Sequence, residues 1–243
     1  MIRQIAFTTT LLIVLLAGCH RPNANVTFID GTLKDAAGTK LILQEMDIRE
    51  MNPVDSVIPG ENGLFNFKIA LKESGFWVIK AQDGKILVLL LNKGDRVSLS
   101  GSARDFPDNV IVKGAVEAML LADFFRHTRK NEKLVDSLEM LLVDQQDSSN
   151  YYQLSQKLDT SFKQIWDAQR KYEKEFIASH PGSLASIVVL NYAFGMSPVL
   201  SPEEDLQDYR RVDSAMWKQF PENKHVKFHH QRMAEITRDM SHK

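Results

Sequence analysis

Three histidines near the C-terminal end, His225, His229 and His230, have the residue type and spacing for transition-metal chemistry. His225 and His229 are four residues apart, so on a helix their imidazoles share one face, a spacing that chelates zinc or copper. No carboxylate completes the pattern. Lys224, Lys227 and Arg232 surround the pair, and Glu235 is two turns on. The segment therefore reads as an exposed polar helix face, with His225 and His229 as weak metal candidates and no cofactor expected. A basic run, Arg126, His127, Arg129, Lys130 and Lys133, has the charge to touch anionic lipid. It reads first as a solvated helix end whose cations suit the helix dipole. Trp77, Trp166 and Trp217 are candidates to line a ligand cleft, with core packing as the simpler reading. Asp144-Gln145-Gln146-Asp147-Ser148 reads as a polar loop between helices, because the glycine and ligand spacing of a calcium loop are absent. The chain has no Gly-x-Ser-x-Gly, phosphate loop, dinucleotide fingerprint or His-Glu-x-x-His, so no catalytic residue is expected.

The residue with the most specific context is Cys19. One positive charge, Arg3, precedes an apolar stretch from Ile5 to Leu16. A membrane-spanning helix needs about 20 apolar residues, whereas signal-peptide cores run about 7–15. The stretch ends in Leu16-Ala17-Gly18-Cys19, which resembles the lipobox of bacterial lipoproteins. Small residues before the cysteine fit a narrow peptidase site, and the sulfur accepts the diacylglycerol. Residues 1–18 are thus expected to be a cleaved signal peptide and Cys19 the lipidated N-terminus, held by more than one acyl chain at about 0.8 kcal/mol per buried methylene. No Asp follows Cys19, and no acidic cluster follows His20-Arg21-Pro22-Asn23-Ala24-Asn25. The expected location is the outer membrane, facing the periplasm.

Cys19 is the single cysteine, so the mature body has no thiol for disulfides, thiol–disulfide exchange or a thiolate zinc site. Basic and acidic side chains number 30 and 31. Residues 20–113 carry 12 of each sign and residues 114–243 carry 17 basic and 19 acidic, so neither half has the excess positive charge of a nucleic-acid binder.

Two segregated parts must position these residues. From Val26 to Lys113 short β-rich runs alternate with turn chemistry. They are Val26–Ile29, Lys40–Gln44, Leu64–Ile69 after Glu61-Asn62-Gly63, Phe76–Ala81, Ile86–Leu91 after Asp83-Gly84, Arg96–Gly101 and Val110–Val112. Ile86–Leu91 is apolar throughout, as in a strand buried on both faces. Turn signals every ~8–12 residues predict an antiparallel β-sandwich or barrel-like domain over 26–113. From 114 to 243 the period becomes helical. Helices are expected over Ala115–His127, Leu134–Val143, Tyr151–Ala178 and Leu184–Phe194, the last capped by Ser183. A fifth follows the N-cap Ser201, with Pro202 at N1 and Glu204 placed to reach back, and a sixth starts at Pro221-Glu222-Asn223. The joint at Gly114 has no linker, so the two parts should share an interface and unfold together.

The order of several short motifs resembles the N-terminal region of envelope lipoproteins that carry a thioredoxin-like thiol–disulfide reductase domain at their C-terminus. These motifs are Gly31-Thr32-Leu33, Asp55-Ser56-Val57 before Gly63-x-Phe65-x-Phe67, Asn92-Lys93-Gly94-Asp95, and Val112-Lys113-Gly114 leading into a helix. Pro181-Gly182-Ser183-Leu184-Ala185-Ser186 and the start Pro221-Glu222-Asn223-Lys224-His225-Val226-Lys227 are similar to its helical segment. The Cys-x-x-Cys domain of that family has no counterpart in this sequence, so its redox activity is not carried over. The resemblance implies a non-enzymatic accessory module that binds a protein or peptide partner, such as a separately encoded reductase or its substrate. The alternative is a small-molecule or glycan-binding lipoprotein using a cleft between the two parts.

Overall fold

The structure, a computed structural model, describes residues 25–195 and 197–241. Eight strands come first: β1 (Val26–Lys34), β2 (Leu41–Met46), β3 (Met51–Val57), β4 (Leu64–Ala70), β5 (Gly75–Ala81), β6 (Ile86–Leu91), β7 (Arg96–Ser102) and β8 (Ile111–Lys113). They form two four-stranded sheets, ordered β4-β1-β7-β8 and β3-β2-β5-β6. Alternation drives the pairing. Ile29, Leu33, Phe65, Phe67, Val97 and Leu99 face Leu41, Leu43, Trp77, Ile79, Leu87 and Leu89 in one buried core. The sheets meet along β3 and β4 and do not close into a barrel. β1 pairs with β7 in parallel, a mixed element that the short-hairpin reading of the sequence did not contain.

Two glycines shape this core. At Gly31 a Cβ would sit 2.0 Å from Phe65 Cζ, so the ring lies across the backbone where a side chain would otherwise be. Gly63 turns the chain into β4 with φ +70°, and a Cβ there would meet the Leu33 carbonyl oxygen at 2.1 Å. β3 was not foreseen. Its residues are mostly exposed and include Pro53, as suits an edge strand, so it shows no apolar alternation.

The helices are α1 (Val116–Asp144), α2 (Tyr151–Ser179), α3 (Ala185–Leu190), α4 (Pro202–Gln219) and α5 (Lys224–Ser241). The two expected helices 115–127 and 134–143 are one helix of 29 residues. The intervening His127-Thr-Arg-Lys-Asn-Glu-Lys133 has no Gly or Pro to stop it, and Leu121, Thr128 and Val135 are buried at seven-residue spacing through it, so one face stays covered. The expected Leu184–Phe194 helix ends at Leu190, followed by a short pair, β9 (Ala193–Phe194) with β10 (Ser197–Pro198). Ser201 caps α4 by accepting from Glu204 N–H at 3.3 Å. The Ser201 N–H goes to Asp205 Oδ2 and not to Glu204.

α1 joins the halves. Ala115, Ala118 and Ala122 enter the sandwich core, while Leu121 and Phe124 enter a second core with Phe176, Ile177, Leu190, Val212, Met216 and Val226. Phe76 and Leu90, cross-strand partners on the outer face of β5–β6, belong to that second core. The junction is thus packed side chain on side chain. Asn223 adds a polar tie. Its Nδ2 donates to Ser74 O (2.6 Å) and its Oδ1 accepts from the N–H groups of His225 and Val226, capping α5. Lys224 pairs with Glu45 at 2.5 Å and Asp47 at 3.5 Å.

Asn25 lies beside Leu71, and Thr27 reaches Asn92, so the described chain begins at one end of the sandwich. α1 starts toward the same end, where Lys113 of β8 pairs with Ser98. At the other end Arg129 and Lys133 reach Asp108 in the β7–β8 loop, at 3.7 and 2.6 Å. The last three turns of α1 therefore project beyond the sandwich, on the end away from Asn25. Among the described residues, no helix is long and apolar enough to cross a membrane.

Candidate functional site

His225 and His229 are on one face of α5, as their spacing requires, but that face is not exposed. They are 8% and 4% accessible and pack into the second core. The sequence suggested a solvated face because charged residues flank the pair. The structure turns those charges outward or onto β2 and directs both rings inward. His225 meets Phe76 edge-on, with centroids 4.9 Å apart. Burial pushes His225 down to about 4, with Lys224 adding to the fall, and burial likewise lowers His229. Burial favours the neutral form of both, and among the described residues the Nε2 of each has no hydrogen-bond partner. No group of three or more His, Cys, Asp or Glu positioned for a metal occurs among the described residues. His230 is apart from the pair, stacked on Trp217 at 4.0 Å and 3.0 Å from Asp213.

A second buried polar set crosses between α1 and α2. Asn131 donates to Gln169 Oε1 (2.7 Å), and Gln169 donates to Glu173 Oε1 (2.9 Å). Burial pushes the Glu173 carboxyl up to about 8, against the pull of Gln169 and Arg170. It is a neutral acid at pH 7, and its Oε2 is unpartnered among the described residues. Beside it, burial would raise Asp205, but Lys174 (2.6 Å), the Ser201 N–H and Arg170 (2.7 Å) together hold that carboxyl below the usual range. Sequence patterning missed this set because Gln169, Glu173 and Asp205 look like surface positions when only apolar spacing is read. Glu173 is 0% accessible, so substrate does not reach it. Its role is in packing α2.

The basic run is dispersed. Arg126 pairs with Asp123, Arg129 and Lys133 share Asp108, and His127 stacks on Tyr172 at 3.8 Å. The tryptophans do not share a cleft. Trp77 is in the sandwich core, Trp217 lies against His230, and Trp166 is beside Phe162 and Phe194 at 5.9 and 5.8 Å. Cys19 and the signal segment 1–18 fall outside the described residues.

The projecting hairpin presents a run of large apolar side chains to solvent. From Asp136 to Ala168 no residue is buried. Leu138, Leu142, Leu154, Leu158 and Ile165 form a half-buried seam between the two helices. Outside it Met140 (68% accessible), Leu141, Val143, Tyr152 (72%) and Phe162 are exposed. At its base, between α1, α2 and the β9–β10 turn, is a cavity of about 310 Å³ lined by Glu132, Val135, Asp136, Glu139, Phe162 and Phe194. Another, of about 330 Å³, opens at the end of the sandwich between Leu33, Leu41, Ala81 and Phe106.

No known family profile matches the chain, and no curated protein matches it. A solved structure of a 9R-lipoxygenase from Cyanothece PCC8801 aligns over 53% of this chain and 25% of its own, at 9% identity and TM-score 0.24. A likeness that faint carries no argument about fold or activity.

Proposed function

We propose that this protein is a non-enzymatic, lipid-anchored module of the bacterial envelope that binds a protein partner through its α1–α2 hairpin. The observation that carries the reading is the hairpin itself: from Asp136 to Ala168 no residue is buried, yet Met140, Leu141, Val143, Tyr152 and Phe162 are presented to solvent. A two-helix hairpin buries only one face of each helix, and apolar surface on the others is stabilised by a further layer. The anchoring geometry supports the same reading. Cys19 precedes Asn25 by six residues, and the hairpin projects from the opposite end of the sandwich, so lipid on Cys19 leaves the hairpin facing away from the membrane. The resemblance to the accessory region of reductase lipoproteins supplies the partner class: a thioredoxin-like reductase encoded separately, or its substrate. The alternative of a ligand cleft between the halves has less support, because Phe76 and Leu90 are packed against the helices at that junction.

Photo-crosslinking in cells tests the proposal. A benzophenone residue at Tyr152 should give a discrete adduct with a Cys-x-x-Cys protein, whereas the same residue at Val54 on β3 should not. The same adduct pattern from both positions, or none from Tyr152, would overturn it.

A further inference from the structure

One flank of the hairpin has a chemistry that specifies its partner further. On α1, Glu132, Asp136 and Glu139 follow one another at i, i+4 and i+7, and therefore form a rail along one side of the helix. Glu132 is fixed there by the Tyr192 hydroxyl, which donates to its Oε1 at 2.7 Å. Asp136 and Glu139 have no cation within ion-pair distance among the described residues. The asymmetry continues to the tip, since the segment Asp136–Asp147 contains four acidic residues and no Lys or Arg. Facing the rail across the groove is an aromatic wall of Phe162, Trp166 and Phe194, whose neighbouring ring centroids are within 5.9 Å of one another. The rail, with Phe162 and Phe194 of the wall, lines the cavity of about 310 Å³ at the base of the groove, and Trp166 packs beside those two rings.

An acidic rail opposite aromatic faces suits one kind of side chain. A lysine or arginine has an apolar stem for the rings and a charged end for the carboxylates, and it gains further from the ring quadrupole. The backbone geometry suits a helix. The strand pair at the base of the groove, β9–β10, is only two residues per strand, too short to template an added strand, whereas two antiparallel helices present a furrow into which a third packs at about 8–10 Å. The α1 side of the groove, Glu132–Asp144, is about 18 Å long, which three to four turns of helix cover.

We propose that this groove receives an amphipathic helix of about 12–15 residues bearing lysine or arginine along one edge, completing a three-helix bundle with α1 and α2. The inference rests on the hairpin being the partner-binding surface and adds the chemistry of what it binds.

The test uses the full chain and a fluorescein-labelled, amphipathic Leu/Lys peptide of about 15 residues, with the Leu/Glu peptide of the same pattern as its counterpart. Anisotropy should show saturable, salt-sensitive binding of the Lys peptide only. In the double variant Asp136→Lys/Glu139→Lys, both sites being exposed, the melting temperature should hold while affinity for the Lys peptide falls about tenfold or more and the Glu peptide begins to bind. Equal binding of the two peptides, binding of neither, or affinity unchanged in the double variant would overturn the inference. So would a concentration-dependent dimer that the double variant abolishes, which would assign the groove to a second copy of the chain. The Tyr152 crosslink separates the two readings. An adduct that persists unchanged in the double variant leaves hairpin docking standing and removes the basic helix. If the parent yields no adduct, docking in the cell fails, while the peptide titration still reads the groove.

Discussion

Leu89 and Leu90 are neighbours on β6, and both are fully buried, yet they serve different cores. Leu89 opposes Trp77 inside the sandwich, and Leu90 opposes Phe76 against the helices. Replacing each separately with alanine asks whether the two cores unfold as one. Truncation removes three carbons from a buried side chain, roughly 2.4 kcal/mol at about 0.8 kcal/mol per methylene. The cavity left behind brings the total into the ~3–5 kcal/mol range, since a core bounded by a sheet on one side collapses only in part. For a chain of this size ~1 kcal/mol moves the midpoint by about 2–4 °C, so either variant should melt roughly 6–20 °C below the parent. Calorimetry of residues 20–243 gives the midpoints, and urea unfolding followed by helical circular dichroism gives an independent one. One transition is expected throughout, with Leu89→Ala lowering the helical signal's midpoint as much as Leu90→Ala does, although Leu89 is in the sandwich core. Two resolved transitions, or a helical midpoint that ignores Leu89→Ala, would refute the coupling.

Other expectations follow from the buried titratable groups and from Cys19. His225 is held at about 4 when folded and near its ordinary value when unfolded, so the unfolded state takes up the proton first on acidification. Stability should be full above pH ~6.5 and fall by up to ~3 kcal/mol between pH 6.5 and 4, and urea titrations of His225→Phe should show a flatter profile over that window. Glu173, pushed up to about 8, has the opposite sign: its neutral form is favoured on folding, so stability is full below pH ~4.5 and is lost as pH rises toward 8. Glu173→Gln keeps the shape without the charge and should stabilise by roughly 2–4 kcal/mol at pH 8 and little at pH 4.5; equal effects at both would contradict the assignment. Cys19→Ser should abolish incorporation of radioactive fatty acid, and equal label on variant and parent would sink the lipid anchor.

The local grammar of the sequence was enough to place most elements. Alternation in Leu64–Ile69 and Arg96–Gly101 specified a sheet with one face inward, and Asn62-Gly63 specified the turn before β4, because these patterns act through neighbours along the chain. The unbroken apolar run Ile86–Leu91 already implied a strand covered on both sides. What it did not specify was the identity of the covers, nor that alternate residues divide between a sandwich core and a helical one. The parallel pairing of β1 with β7 joins residues about seventy positions apart, and no local pattern encodes such a partner. His225 and His229 make the same point at the level of a site. Their four-residue spacing determined that they share a face, but whether that face meets water or Phe76 depends on where β5 and α5 come together. Glu173 and Asp205 likewise look like ordinary surface acids, and only enclosure by α1, α2 and α4 makes one neutral and the other a firmly held anion. The acidic spacing of Glu132, Asp136 and Glu139 was present in the sequence, but the aromatic wall opposite it comes from α2 and the β9–β10 turn. Periodicity and turn chemistry are properties of a segment, whereas burial, protonation and the shape of a groove are properties of what another segment brings against it.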